Sequence, residues 1–155
     1  FSFPLVVLAI DLTIRVLGKS IARATITLSY PLAIISSIVV LLIEGSTESV
    51  AFRIGFASAT AYGVSTLLDV YLFQIIRERY NAWWIAPSIS TIFANIIDTY
   101  VFFFSAFSNS SDQYMADNWL EISATQSLIK IIIGLLLFLP FYGVLLNFIL
   151  KKFKK

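Results

Sequence analysis

Five charged residues interrupt long apolar runs in this chain: Asp11, Arg15, Asp69, Asp98 and Lys130. Facing lipid, each would cost roughly 2.5–3.5 kcal/mol on an insertion scale, so they should face a helix-bundle interior or one another. Asp98 is the strongest functional candidate. Ser88, Thr91, Asn95 and Asp98 follow one another at offsets of three, four and three residues, which is one polar stripe on a helix. Ser58, Tyr62, Ser65 and Asp69 form a second stripe at offsets of four, three and four. Two stripes argue for a lined cavity, whereas either alone could be hydrogen-bonding glue between helices. Asp11 and Arg15 stand four apart, the spacing of an intrahelical ion pair. Gln126 and Lys130 share a face, and Lys130 lies roughly 31 Å before Lys151 along a straight helix. That places Lys130 near the outer boundary, where it could snorkel unless the bundle is open to water.

The absence of two residue types narrows the chemistry further. With no His and no Cys, Ser-His catalysis, thiolate nucleophiles, His- or Cys-ligated metals and imidazole proton relays are all closed. Neither a cofactor nor a metal is expected. The 11 Lys+Arg against 9 Asp+Glu give a net charge of +2, without the basic excess that nucleic-acid binding requires. Proton chemistry is left to carboxylates, Lys or Tyr.

The elements that must position these groups are membrane helices. Of the 155 residues 59% are hydrophobic and 13% charged, and the mean hydropathy of +0.89 lies far above that of soluble domains. Five apolar segments recur with short polar gaps, spanning about residues 1–17, 24–43, 52–76, 84–107 and 119–150. The runs 38–43 and 131–139 are apolar on every side, unlike barrel strands, so the fold class is all-α: a polytopic transmembrane helix bundle in one domain over 1–155. Gly55, Ala59 and Gly63 form a small-residue ladder suited to close helix contact. Pro140 should kink or break the fifth segment, and Trp83 and Trp84 read as an interfacial anchor ahead of ligand stacking.

Loop charges set an orientation. Lys19 and Arg23, then Arg77 and Arg79, then the lysines from Lys151 onward occupy alternate gaps. Glu44 and Glu48, then Asp112, Asp117 and Glu121 occupy the others, with Arg53 as the opposing charge. The positive-inside rule therefore predicts a cytoplasmic carboxyl terminus. Counting back, the first segment would start outside, so a preceding sixth helix is expected. Five helices are then visible of six.

The stretches FSFPLVVLAIDLTIRVLGKSIAR, LLDVYLFQ, WWIAPSISTIFANIIDTYVFFF and FLPFYGVLLNFILKK resemble the queuosine precursor transporters of the bacterial vitamin uptake transporter family. The likeness runs from Phe1 to the lysine tail. It implies a multi-pass inner-membrane protein, not an enzyme, that imports 7-deazaguanine precursors of the tRNA base queuosine in the nitrile form, with the aminomethyl form left open. The partners so implied are a purine-like small molecule and the bilayer, with no nucleic acid, while a homo-oligomer stays open. The family pattern picks out Asp11, Arg15, Asp69, Asn95, Asp98, Lys130, Pro140, Tyr142 and Asn147. Chemistry then allots the roles. A deazaguanine presents two adjacent donors beside a carbonyl, and a carboxylate can accept both while Asn or Lys donates to the carbonyl. The substrate-binding set is thus Asp98, Asn95, Thr91 and Lys130, with Tyr62, Phe102 or Tyr142 stacking on the base. Asp11, Arg15 and Asp69 are left for coupling or gating, since a buried carboxylate can carry a proton.

Two other functional classes fit a polytopic helical chain in part. A substrate-capture subunit of an energy-coupling-factor importer would need a docking face for its scaffold, and the ladder of Gly55, Ala59 and Gly63 could serve. An intramembrane aspartyl protease would pair Asp69 with Asp98, but Asp98 stands in NIIDT and not in a Gly-x-Gly-Asp context.

Overall fold

Why these segments end where they do is local chemistry. The computed structural model describes Thr13 and residues 17–153. Within them α1 is Lys19–Ile43, α2 Glu48–Arg79, α3 Ile85–Phe107 and α4 Gln113–Ile133, followed by a π-helical turn, Gly134–Phe138, and α5, Leu139–Phe153. Gly45, at φ 85°, closes α1: its N–H donates to Leu42 O while that of Ser46 donates to Leu41 O, the paired bonds of a Schellman cap. Asp112 caps α4 by accepting from Met115 N at 3.1 Å.

Four helices among the described residues are long and apolar enough to cross a membrane, the last of them formed by α4, the π turn and α5 running on as one rod. The expected first segment and its pair Asp11 and Arg15 lie outside the described residues. The helices outrun their apolar stretches: α2 begins at Glu48 rather than near Phe52, and α4 at Gln113 rather than near Trp119. An apolar window marks where lipid ends, whereas a cap marks where the helix ends. Pro140 does not break the fifth segment. Its missing N–H is absorbed by the π turn just before it, in which Leu139 N bonds back to Gly134 O.

Consecutive helices pack side by side, with α2 and α3 central and α1 and the α4–α5 rod flanking them. At one end the start of α1 (Ala22, Ile26), the end of α2 (Val70, Phe73) and the start of α3 (Ala86) form a buried cluster. The same end carries Arg23, Arg77 and Arg79. At the other end Arg53 of α2 donates to Asn109 O at 3.2 Å and to Ser108 O, placing a cation on the carbonyl terminus of α3. Outward faces such as Leu28, Leu32, Leu136, Val144 and Phe148 are exposed, as side chains solvated by lipid would be.

The small-residue ladder joins α2 to α1. A Cβ on Gly55 would lie 2.6 Å from Ile38 Cγ1 and 3.3 Å from Ile38 N, and one on Gly63 would lie 2.9 Å from the Tyr30 ring. The face that an external scaffold would need is therefore already covered. Gly55→Leu should push α1 off α2 and cost about 1–3 kcal/mol, read as an earlier midpoint when the detergent-solubilised protein is unfolded by SDS; an unchanged midpoint would contradict this close approach.

Candidate functional site

Three helices bring polar side chains together near the middle of α3. Asp98 is nearly buried, and its Oδ2 accepts from Lys130 Nζ of α4 at 3.0 Å. The same ammonium donates to Thr99 Oγ1 at 3.1 Å. From α2, Ser65 Oγ reaches Asp98 Oδ1 at 3.5 Å, a long contact that leaves this oxygen lightly engaged. The helical repeat explains the meeting: Ser65 lies on the side of α2 turned to α3, opposite the ladder that packs α1. The α4 face carrying Lys130 holds the buried Ser123 and Ser127 and runs into Gly134. Charge taken out of water is tolerated here because each ion has the other and further hydroxyls as partners.

Lys130 therefore does not snorkel to the outer boundary. Its long stem turns inward because Asp98, on the adjacent helix, offers a carboxylate at the same level. Gln126, expected to share its face, is exposed, and the serines at 123 and 127 occupy that face instead. Steps of four and three residues lead from Ser123 through Ser127 to Lys130, a stripe that helical spacing makes readable. Thr99 was also missed, since it stands beside Asp98 in sequence and off its stripe.

One turn toward the basic end lies Asn95, fully buried. Its Nδ2 donates to Thr91 O at 2.8 Å, which fixes the amide orientation, because only the nitrogen can bond a carbonyl. Asn95 Oδ1 then has no hydrogen-bond partner among the described residues. One of its two N–H groups is engaged within its own helix, so the amide offers an open acceptor beside the second donor. Gly134 permits the rod to approach here, since a Cβ on it would stand 3.2 Å from Thr91 Cγ2 and 3.9 Å from Asn95 Nδ2. The π turn thus begins against the polar stripe, a common setting for functional π turns.

The remaining candidates go elsewhere. Tyr62 is turned to α1, its hydroxyl 3.1 Å from Ser29 Oγ, so it is not brought to Asp98. Phe102 sits edge-on to Phe103 and Phe107, with centroids at 5.3 and 6.0 Å, in an aromatic cluster toward the acidic end. Asp69 is fully buried in α2, one turn beyond Ser65. Tyr142 is buried near the basic end, its ring 6.5 Å from that of Trp83. Trp83, expected mainly as an anchor, also packs on α5: a Cβ on Gly143 would meet its ring at 2.6 Å.

The ion pair makes a stability prediction. Asp98→Asn or Lys130→Met alone orphans a largely buried group and should cost up to about 3 kcal/mol, while the double variant should recover most of the loss. SDS unfolding of the four proteins closes this cycle, and additive single effects would deny the pairing.

Comparison with known proteins places this site in context. A family model described as "Putative vitamin uptake transporter" matches residues 1–145. The queuosine precursor transporter of Escherichia coli (strain K12) is 40% identical over 98% of this chain and 73% of its own length. The probable queuosine precursor transporter of Haemophilus influenzae is 41% identical over 97% of this chain and 68% of its own length. No solved structure matches the chain. With its several spans of membrane length and these relatives over nearly its whole extent, the chain belongs to the vitamin uptake transporter family and is a multi-pass membrane protein.

Proposed function

We propose that this chain transports queuosine precursors, importing 7-deazaguanines across the bacterial inner membrane for tRNA modification. The observation that carries the reading is the meeting of buried Asp98 and Asn95 with half-buried Lys130, in which the carboxylate and the amide offer acceptors to the donor edge of a deazaguanine. Asp98 Oδ1 and Asn95 Oδ1 are acceptors with capacity to spare, set one turn apart on one face of α3. The ring N–H and exocyclic amine of the base supply two donors side by side. Lys130 can swing from Asp98 Oδ2 toward the adjacent carbonyl, keeping a charge-assisted bond in either position. The exchange of one partner for another lets the substrate enter without stranding a charge in low dielectric.

The names of the two relatives support the same substrate class, and the covered ladder on α2 speaks against a subunit that needs an external scaffold. Asp69, with Asp11 and Arg15, keeps the coupling or gating role. The carboxyl terminus faces the cytoplasm, in keeping with Arg23, Arg77 and Arg79 gathered at one end of the bundle.

In cells unable to make the precursor, supplied with it at limiting concentration, expression of this protein should restore queuosine in tRNA. With each variant confirmed to reach the membrane, Asp98→Asn should lower the initial uptake rate at least tenfold, about the loss of one charged hydrogen bond in a buried site, and Asn95→Ala about fivefold, the scale of one neutral hydrogen bond. Uptake by purified protein alone in proteoliposomes checks that no scaffold is needed. Normal rates in both variants would overturn the assignment of these two residues.

A further inference from the structure

The polar stripe of α3 does not stop at Asn95. It continues through Thr91 and Ser88 and arrives at Trp84 and Trp83, about 21 Å from Asp98 along the helix. There the start of α3 and α5 flank a shallow, open hollow of about 570 Å³, lined by Trp83, Trp84, Pro140, Gly143 and Asn147 and bordered on its outward side by Val144. A second recess of about 400 Å³ adjoins it over Trp83, Gly143, Leu146 and Asn147. Three features make this more than a gap between helices. The Trp83 ring lies within 23° of parallel to that of the buried Tyr142 with centroids 6.5 Å apart, so the indole is partly backed by an offset aromatic ring. Gly143 is what lets it lie there, since a Cβ would stand 2.6 Å from Trp83 Cη2 and 2.8 Å from Cζ3. Asn147, one turn further along α5 from Gly143, brings an exposed amide with both donors and an acceptor to an otherwise apolar wall.

We propose that this cleft is a second, peripheral binding position for the planar base, with Trp83 as its stacking wall and Asn147 as its hydrogen-bonding edge. The inference rests on the reading of the chain as a deazaguanine carrier. A flat heteroaromatic ring gains from a backed indole face and from an amide that can pair with a base edge, whereas a lipid tail would have no use for Asn147. Continuity with the α3 stripe makes the cleft the mouth of the path from Asp98 at the basic end, where the imported base rests before release.

The test uses the full-length protein in nanodiscs with Trp84 and Trp119 replaced by Phe, so that Trp83 alone emits, and the nitrile-form deazaguanine as probe. Saturable quenching is expected, and it should persist in Asp98→Asn, which removes the central site only. Asn147→Ala should weaken half-saturation about fivefold, the scale of one neutral hydrogen bond. Gly143→Ala should displace the indole and abolish quenching, and by equilibrium dialysis in the Asp98→Asn background, Gly143→Ala combined with Trp83→Phe should regain the binding that Gly143→Ala loses, because the smaller ring relieves the clash. Quenching that disappears with Asp98→Asn, or that follows the lipid headgroup rather than the base, overturns the peripheral site. Uptake without any quenching overturns it alone, while neither uptake nor quenching overturns the transport reading with it.

Discussion

An ion pair held inside an apolar bundle is the constraint around which the described structure is arranged. Asp98 and Lys130 sit on adjacent helices, and neither could stay charged in lipid without the other. Meeting at 3.0 Å requires α3 and α4 to run close together at that level, with small side chains around the contact. Ser123, Ser127 and Gly134 on the rod supply that room, and Ser65 brings α2 to the same point. The bundle thus converges on its charges instead of merely enclosing them.

The pair also accounts for how a polar substrate could be admitted. A buried carboxylate that is already satisfied resists a newcomer unless the newcomer offers equal partners. Asp98 keeps one oxygen for Lys130 and the other only weakly for Ser65, so one acceptor is available while the charge stays compensated. The Asn95 amide adds an unfilled acceptor in a place where water would otherwise be wanted. Under the proposed reading, recognition by partner exchange would need little backbone motion at the site. Motion elsewhere has a natural seat in the π turn before Pro140, where the helical ladder is already irregular.

How much of this could be read from residues alone differs by element. The helices beyond the first segment were legible because each carries an uninterrupted apolar window, and Asp98 with Asn95 because a stripe at helical spacing shows on any single helix. Tyr62 belonged to such a stripe and still turned away, since a stripe of four residues is wider than one contact: Ser65 falls toward α3 and Tyr62 toward α1. The inward turn of Lys130 was not legible either. Distance from the end of its own helix says nothing about a carboxylate on the next one.

What the sequence determined by itself, then, is the solvent and the chemical alphabet. Its apolar windows demand lipid, its loops carry most of the charge, and its lack of His and Cys leaves carboxylates, amides and Lys to do the work. Tertiary structure decided the partners. Which face of α2 meets α1, which oxygen of Asp98 is occupied and which atom of Asn95 is left open all depend on atoms from different helices or turns sharing one place. Helical periodicity fixes the direction of a side chain around its own axis, and only packing fixes what stands opposite.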